Sequence, residues 1–88
     1  MKKIKNYQGN EAHLEELKGF IKGMGLTPEI KDYEEDYQKY TSIITDKILV
    51  RYNKSINSFE ILLIETPSEI KKLEETIGKI FESELKPE

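Results

Sequence analysis

The chain has 88 residues, of which 36% are hydrophobic and 35% are charged, and its formal net charge is −3. This length supports one hydrophobic core, so we expect a single domain over residues 1–88. The absence of cysteine excludes a disulfide framework, a thiol nucleophile and a thiolate metal site. No apolar run approaches the ~20 residues that cross a bilayer, and no apolar signal segment follows the basic N-terminal residues. We therefore expect a cytoplasmic protein that does not contact membranes.

The inventory of reactive side chains is short. His13 is the single histidine, and helical spacing places it beside Leu17 and Phe20, which is typical of a residue at the boundary of a core. The serines have neither a neighbouring histidine nor the glycines of a nucleophile elbow. The chain is therefore expected to be neither an enzyme nor a protein that binds a metal or a cofactor.

The first part of the chain combines an ambiguous segment with a clear helix. Residues 1–9 are polar and rich in lysine, and they form either a flexible tail or a short edge strand. A helix is predicted from Asn10, a favourable N-cap, to Met24, just before Gly25 at the position of a C-terminal capping glycine. The apolar residues that share one face of this helix are Leu14, Leu17, Ile21 and Met24.

Residues 27–41 support two interpretations. Tyr33, Tyr37 and Tyr40 recur at helical spacing, and Thr27-Pro28 is a suitable helix start. The alternative is a short strand near residues 29–33, an acidic loop, and a second strand that begins at about Tyr40. We favour the strands, because the hairpin that follows needs a third strand for independent stability.

The remaining elements have clear patterns. Apolar residues alternate over residues 48–52 and 59–63 with turn residues between them, which predicts a β-hairpin. Its second face carries Leu49, Leu62 and Ile64, and this face is either covered within the domain or offered to a partner. Thr66-Pro67 then begins a helix with one apolar stripe. The stripe consists of Ile70, Leu73, Ile77, Ile80 and Phe81.

Together these elements predict a small two-layer α+β domain. The expected order is a helix, a three-stranded antiparallel sheet and a helix (αβββα), with either an extra short helix or an acidic loop around residues 28–40. This layout is similar to that of some small phage-encoded inhibitors of CRISPR nucleases, and the order of elements is similar to that of double-stranded-RNA-binding domains.

The candidate partner-binding segment combines aromatic and acidic side chains. Residues 32–40 contain three tyrosines and four carboxylates. Tyrosine is enriched in protein interfaces, and clustered carboxylates attract basic partners. The predicted contact residues are Asp32, Tyr33, Glu34, Glu35, Asp36, Tyr37 and Tyr40.

These features predict a non-enzymatic protein-binding module. We expect a small acidic inhibitor or immunity-type protein, encoded by a phage or mobile element, that masks a basic surface of a partner protein. One alternative is a nucleic-acid-binding module that uses Lys71 and Lys72, although Glu69, Glu74 and Glu75 surround them and Arg51 is the single arginine. Another alternative is a structural or regulatory homodimer built on the apolar second face of the hairpin.

Overall fold

Five strands and two helices make up the computed structural model, which describes residues 1–84. The strands form one antiparallel sheet in the order β1-β5-β4-β3-β2, and both helices pack on the same face of it. The elements in chain order are β1 (Lys2–Gln8), α1 (Glu11–Gly23), β2 (Glu29–Glu35), β3 (Gln38–Ile44), β4 (Ile48–Asn53), β5 (Ser58–Ile64) and α2 (Pro67–Glu84).

The predicted three-stranded αβββα layout is wrong. Strands β1 and β2 extend the sheet at its two edges, and residues 28–40 form neither a helix nor an acidic loop. The predicted loop is a turn of two residues, Asp36 and Tyr37, between β2 and β3. The sheet therefore begins with the segment that was predicted to be either a tail or an edge strand, and the similarity to αβββα proteins no longer applies.

The core lies between the sheet and the two helices. Alternate residues of β4 and β5, among them Val50, Tyr52, Phe59 and Ile61, point towards the helices and are buried. The helices contribute apolar side chains at the spacings that the sequence predicted. These side chains are Leu14, Leu17 and Ile21 of α1 and Ile70, Leu73, Ile77 and Phe81 of α2.

Strand β1 is held to the helical layer by lysines as well as by an aromatic contact. The ammonium groups of Lys3 and Lys5 lie 2.9 Å and 3.4 Å from the Glu74 carboxylate of α2. Hydrogen bonding from Lys3, with a smaller contribution from Lys5, lowers the pKa of Glu74 below its ordinary value. The ring of Tyr7 stacks on that of Phe81 with 4.4 Å between the centroids. Charged residues thus occupy strand positions that face the helices, where a hydrophobic pattern would place apolar ones.

The junction between β1 and α1 is tightly packed around His13. Asn10 caps α1 by accepting from the Ala12 backbone N–H at 2.9 Å, and the His13 Nδ1 accepts from the Asn10 backbone N–H at 2.8 Å. The imidazole is only 2% exposed and stacks on Phe81 at 4.9 Å. The sequence placed His13 at the boundary of the core, whereas the structure buries it as part of the helix cap.

The start of α2 matches its predicted cap. The Glu69 backbone N–H donates to the Thr66 hydroxyl at 3.4 Å, and Pro67 is the first helical residue. Neither helix in the described part of the chain is long and apolar enough to span a membrane.

Candidate functional site

The most exposed part of the sheet is the β2–β3 hairpin. All seven residues of β2 are exposed, and β2 pairs with β3 on one side only because it ends the sheet. Glu35 opposes Gln38 across a two-residue turn. The hairpin therefore presents an edge and a tip beyond the part of the sheet that the helices cover.

The tip is a tight turn with unusual backbone angles. Asp36 and Tyr37 have φ values of 52° and 65°, and two successive positive values are typical of a type I′ turn. Aspartate tolerates this conformation, but glycine is strongly preferred at the second position. A bulky side chain in the left-handed region costs on the order of 1–2 kcal/mol, so Tyr37 strains the turn that it occupies.

Tyr37 is 97% exposed, so packing does not offset this strain. In the part of the chain that the structure describes, its hydroxyl forms no hydrogen bond and its ring forms no aromatic or cation–π contact. Backbone strain that the fold does not need is often found at functional positions. The tip therefore presents a large amphipathic side chain to whatever approaches the hairpin.

The seven predicted contact residues lie in three places. Strand residues alternate between the two faces of a sheet, so the predicted contact residues within β2 and β3 lie on both faces. Tyr33, Glu35 and Tyr40 point away from the helices, and Asp32 and Glu34 point to the helical side. Asp36 and Tyr37 form the tip. The segment is therefore not one continuous patch, and a single flat partner surface cannot contact all seven residues.

On the face away from the helices, the two tyrosines form a stack. The rings of Tyr33 and Tyr40 lie 5.2 Å apart and are nearly parallel, as expected for directly opposed aromatic residues on neighbouring strands. The guanidinium of Arg51 lies 5.1 Å from the centre of the Tyr40 ring, within the range of a cation–π contact. The Tyr40 hydroxyl also donates to the Gln38 side chain at 3.2 Å. These contacts fix the orientation of both tyrosine rings.

On the helical side, Asp32 is held by contacts within the domain. Its carboxylate accepts from the Thr41 hydroxyl at 2.6 Å and lies 3.7 Å from the Lys54 ammonium. The Thr41 hydrogen bond, assisted by Lys54, lowers the pKa of Asp32 below its ordinary value. Asp32 is thus already paired, which makes it the weakest of the predicted partner contacts.

The charge of the chain is concentrated in the hairpin. Residues 29–44 contain five carboxylates and two lysines, a net charge of −3, which equals the formal net charge of the whole chain. The rest of the sequence is therefore balanced. Within the described part of the chain, Glu34, Glu35 and Asp36 form no ion pair or side-chain hydrogen bond. Three successive unpaired carboxylates make the tip a local source of negative potential.

The face of the sheet opposite the helices is a second candidate surface. No element within residues 1–84 covers it, and a depression of about 380 Å³ lies at its centre. Its floor and walls include Ile4, Leu49, Leu62 and Ile44, with Arg51 and Glu60 beside them. The alternation of Leu49 and Leu62 revealed two of these residues in the sequence. Ile4 was not identified because residues 1–9 were left as either a tail or an edge strand, and Ile44 because the face of the sheet on which it lies was not predicted.

Residues 1–84 contain no group of three acidic or histidine side chains that could hold a metal ion. Comparison of the chain with protein-family models, with curated proteins and with solved structures found no match. The function is therefore inferred from the geometry and charge of the hairpin and of the face of the sheet opposite the helices, called the open face.

Proposed function

We propose that this chain is a non-enzymatic protein-binding module whose β2–β3 hairpin contacts a basic surface of a partner protein, as a small inhibitor or immunity-type protein would. The observation that carries the proposal is the tip, where the exposed and strained Tyr37 lies beside three unpaired carboxylates. An aromatic anchor surrounded by charge is the usual composition of a small, specific protein contact.

The electrostatics favour a cationic partner. The hairpin holds the entire excess negative charge of the chain, and its tip carboxylates repel each other until a positive surface neutralises them. Such a concentrated charge accelerates encounter with a basic protein and repels nucleic acids and other anions. A surface built to bind phosphates is the natural partner, because aspartate and glutamate carboxylates can take the place of phosphate groups.

Protection of the sheet edge explains only part of the hairpin. Charged residues on an edge strand prevent it from pairing with other sheets, which accounts for the alternating acids and lysine of β2. That role does not account for Tyr37, because a glycine at the tip would relieve the strain and leave the edge equally charged. Contact with a partner gives a reason for a tyrosine there.

Replacing Tyr37 with glycine separates binding from stability. We expect Tyr37→Gly to raise the free energy of unfolding by about 1 kcal/mol, because the turn loses its left-handed tyrosine. The same variant should lose most of its partner binding. The measurements are thermal unfolding, and capture from nuclease-treated lysate of the source cells by immobilised wild-type and variant chains, with each captured protein identified by mass spectrometry.

The proposal requires that the wild-type chain retains a basic protein at physiological salt and that Tyr37→Gly does not. Equal capture by both chains would remove the tip from the interface. Binding of the wild-type chain to double-stranded RNA or DNA at physiological salt would overturn the proposal in favour of a nucleic-acid-binding module.

A further inference from the structure

The open face of the sheet carries a second inference that does not depend on the hairpin. Because the helices cover only one face, the apolar side chains of the other face are not fully buried within the described chain, where Ile44, Leu49 and Leu62 are half-buried. Ile4 is 58% exposed and borders the central depression. An antiparallel sheet with one solvated face ordinarily has polar residues there. The apolar side chains on this face therefore indicate that another molecule binds over it.

The side chains of the open face are arranged in rows across the strands. The first row runs Ile4, Leu62, Leu49 and Ile44 from β1 through β5 and β4 to β3. This row is apolar along its whole length.

The second row is polar. It runs Asn6, Glu60, Arg51 and Ser42 over the same four strands. Glu60 and Arg51 lie at its centre, 3.4 Å apart, and each side chain is 49% exposed. The row therefore has one negative and one positive group, placed on either side of the line between β5 and β4.

We propose that the open face binds a second copy of the chain through a twofold axis that runs along the strands between β4 and β5. Such an axis places β4 of one copy over β5 of the other, and β3 over β1. Leu49 then faces Leu62 of the second copy, and Ile4 faces Ile44. Arg51 faces Glu60 in both directions. The face is thus complementary to itself in apolar contacts and in charge, as an isologous interface requires.

The area that overlaps between the two copies is small, as expected for a weak dimer that dissociates on dilution. Four strands at about 4.8 Å spacing and about 3.3 Å per residue cover on the order of 450 Å² in projection for each copy. Two copies therefore bury about 900 Å² before the relief of the side chains is added, which is close to the lower limit for specific interfaces. Strand β2 lies outside the overlap, so the dimer leaves β2 and the turn at Asp36 and Tyr37 free in both copies.

Charge exchange between two variants tests this arrangement. Arg51→Glu and Glu60→Arg each place like charges across the twofold axis, so each variant alone should dissociate at least about 10-fold more readily than the wild-type chain. An equal mixture of the two variants restores opposite charges across the interface. Equilibrium sedimentation at up to about 100 µM, a hundred times a Kd of about 1 µM, should show dimers of the 10.3 kDa chain for the wild type and for the mixture.

A second pair of variants tests the apolar row without altering the ion pair. Ile4→Lys should also weaken the dimer at least about 10-fold. The matched control is Met24→Lys, since Met24 is an exposed methionine, 37% accessible, at the end of α1 on the helical side. The control should leave the dimer unchanged. Far-ultraviolet circular dichroism establishes that each variant is folded.

The results separate the proposal from its alternatives. A monomeric wild-type chain throughout this concentration range would overturn the dimer. A dimer dissociation constant that is unchanged in Ile4→Lys, or a mixture of the charge variants that dimerises no more tightly than either variant alone, would overturn this face as the interface. Capture of a partner by the hairpin is independent of all these outcomes, so the two proposals fail separately.

Discussion

Reversing the charge of Glu34 and Glu35 together is expected to weaken binding of the basic partner at least about 100-fold, which corresponds to about 2.7 kcal/mol. The variant Glu34→Lys/Glu35→Lys changes the net charge of residues 29–44 from −3 to +1. The hairpin would then present a net positive charge to a cationic surface, and like charges across an interface cost several kcal/mol. Titration calorimetry with the purified captured protein measures this loss.

The fold should tolerate the same change. Both side chains are exposed and unpaired in the described part of the chain, so the free energy of unfolding should change by less than about 0.5 kcal/mol. For a domain of this size the melting temperature then stays within about 4 °C of the wild-type value.

A matched control separates the position of the charge from its amount. Glu75→Lys/Glu82→Lys makes the same change in net charge on the exposed face of α2, and it should reduce the affinity less than about 3-fold. Equal losses in the two double variants would mean that net charge, rather than the hairpin, determines binding. Unchanged affinity in the hairpin variant would refute the role of the hairpin.

Gly9→Ala is expected to destabilise the domain by about 3 kcal/mol, at the upper end of the usual range for overpacking. A Cβ at this position would lie 2.7 Å from the His13 Nδ1 and 2.9 Å from the Phe81 ring. Neither ring can move freely, since His13 caps α1 and stacks on Phe81, and Phe81 in turn stacks on Tyr7. Thermal unfolding should therefore show a melting temperature at least about 12 °C lower.

Gly19→Ala is the control for this prediction. Gly19 lies in the interior of α1, and no atom lies within 4 Å of a Cβ added there. The same substitution should therefore stabilise the domain by about 0.5–1 kcal/mol, because alanine favours the helix. A Gly9→Ala variant as stable as the wild type would show that the contacts around His13 are looser than the structure has them.

The elements that the sequence revealed are those with an apolar face against the core. Both helices and the β4–β5 hairpin fall in this class. Buried apolar residues such as Val50, Tyr52 and Phe59 alternate with exposed or half-buried ones along the hairpin, and this alternation identifies its strands. Strand β1 was predicted only as one of two alternatives, because Lys3 and Lys5 occupy its inner positions and pair with Glu74 of a distant helix. That pairing is a tertiary contact, which local patterns do not contain.

The strand predicted near residues 29–33 is present as part of β2, but the full length of β2 and the tight turn at its end were not predicted, for a different reason. All residues of β2 are exposed, so its sequence has no hydrophobic period. The spacing of Tyr33, Tyr37 and Tyr40 instead matched the period of a helix. The turn was missed because Asp36-Tyr37 lacks the glycine that identifies a type I′ turn. Tyr37, which stands where a glycine is expected, therefore made the turn unrecognisable in the sequence and also makes the tip a candidate contact.

Amide hydrogen exchange of the chain, free and bound to its captured partner, locates the contact on the hairpin. We expect slower exchange on binding at residues 33–39, where the hairpin meets the basic surface, and little change in α1 and α2. Protection confined to the helices, with unchanged exchange at residues 33–39, would contradict this expectation.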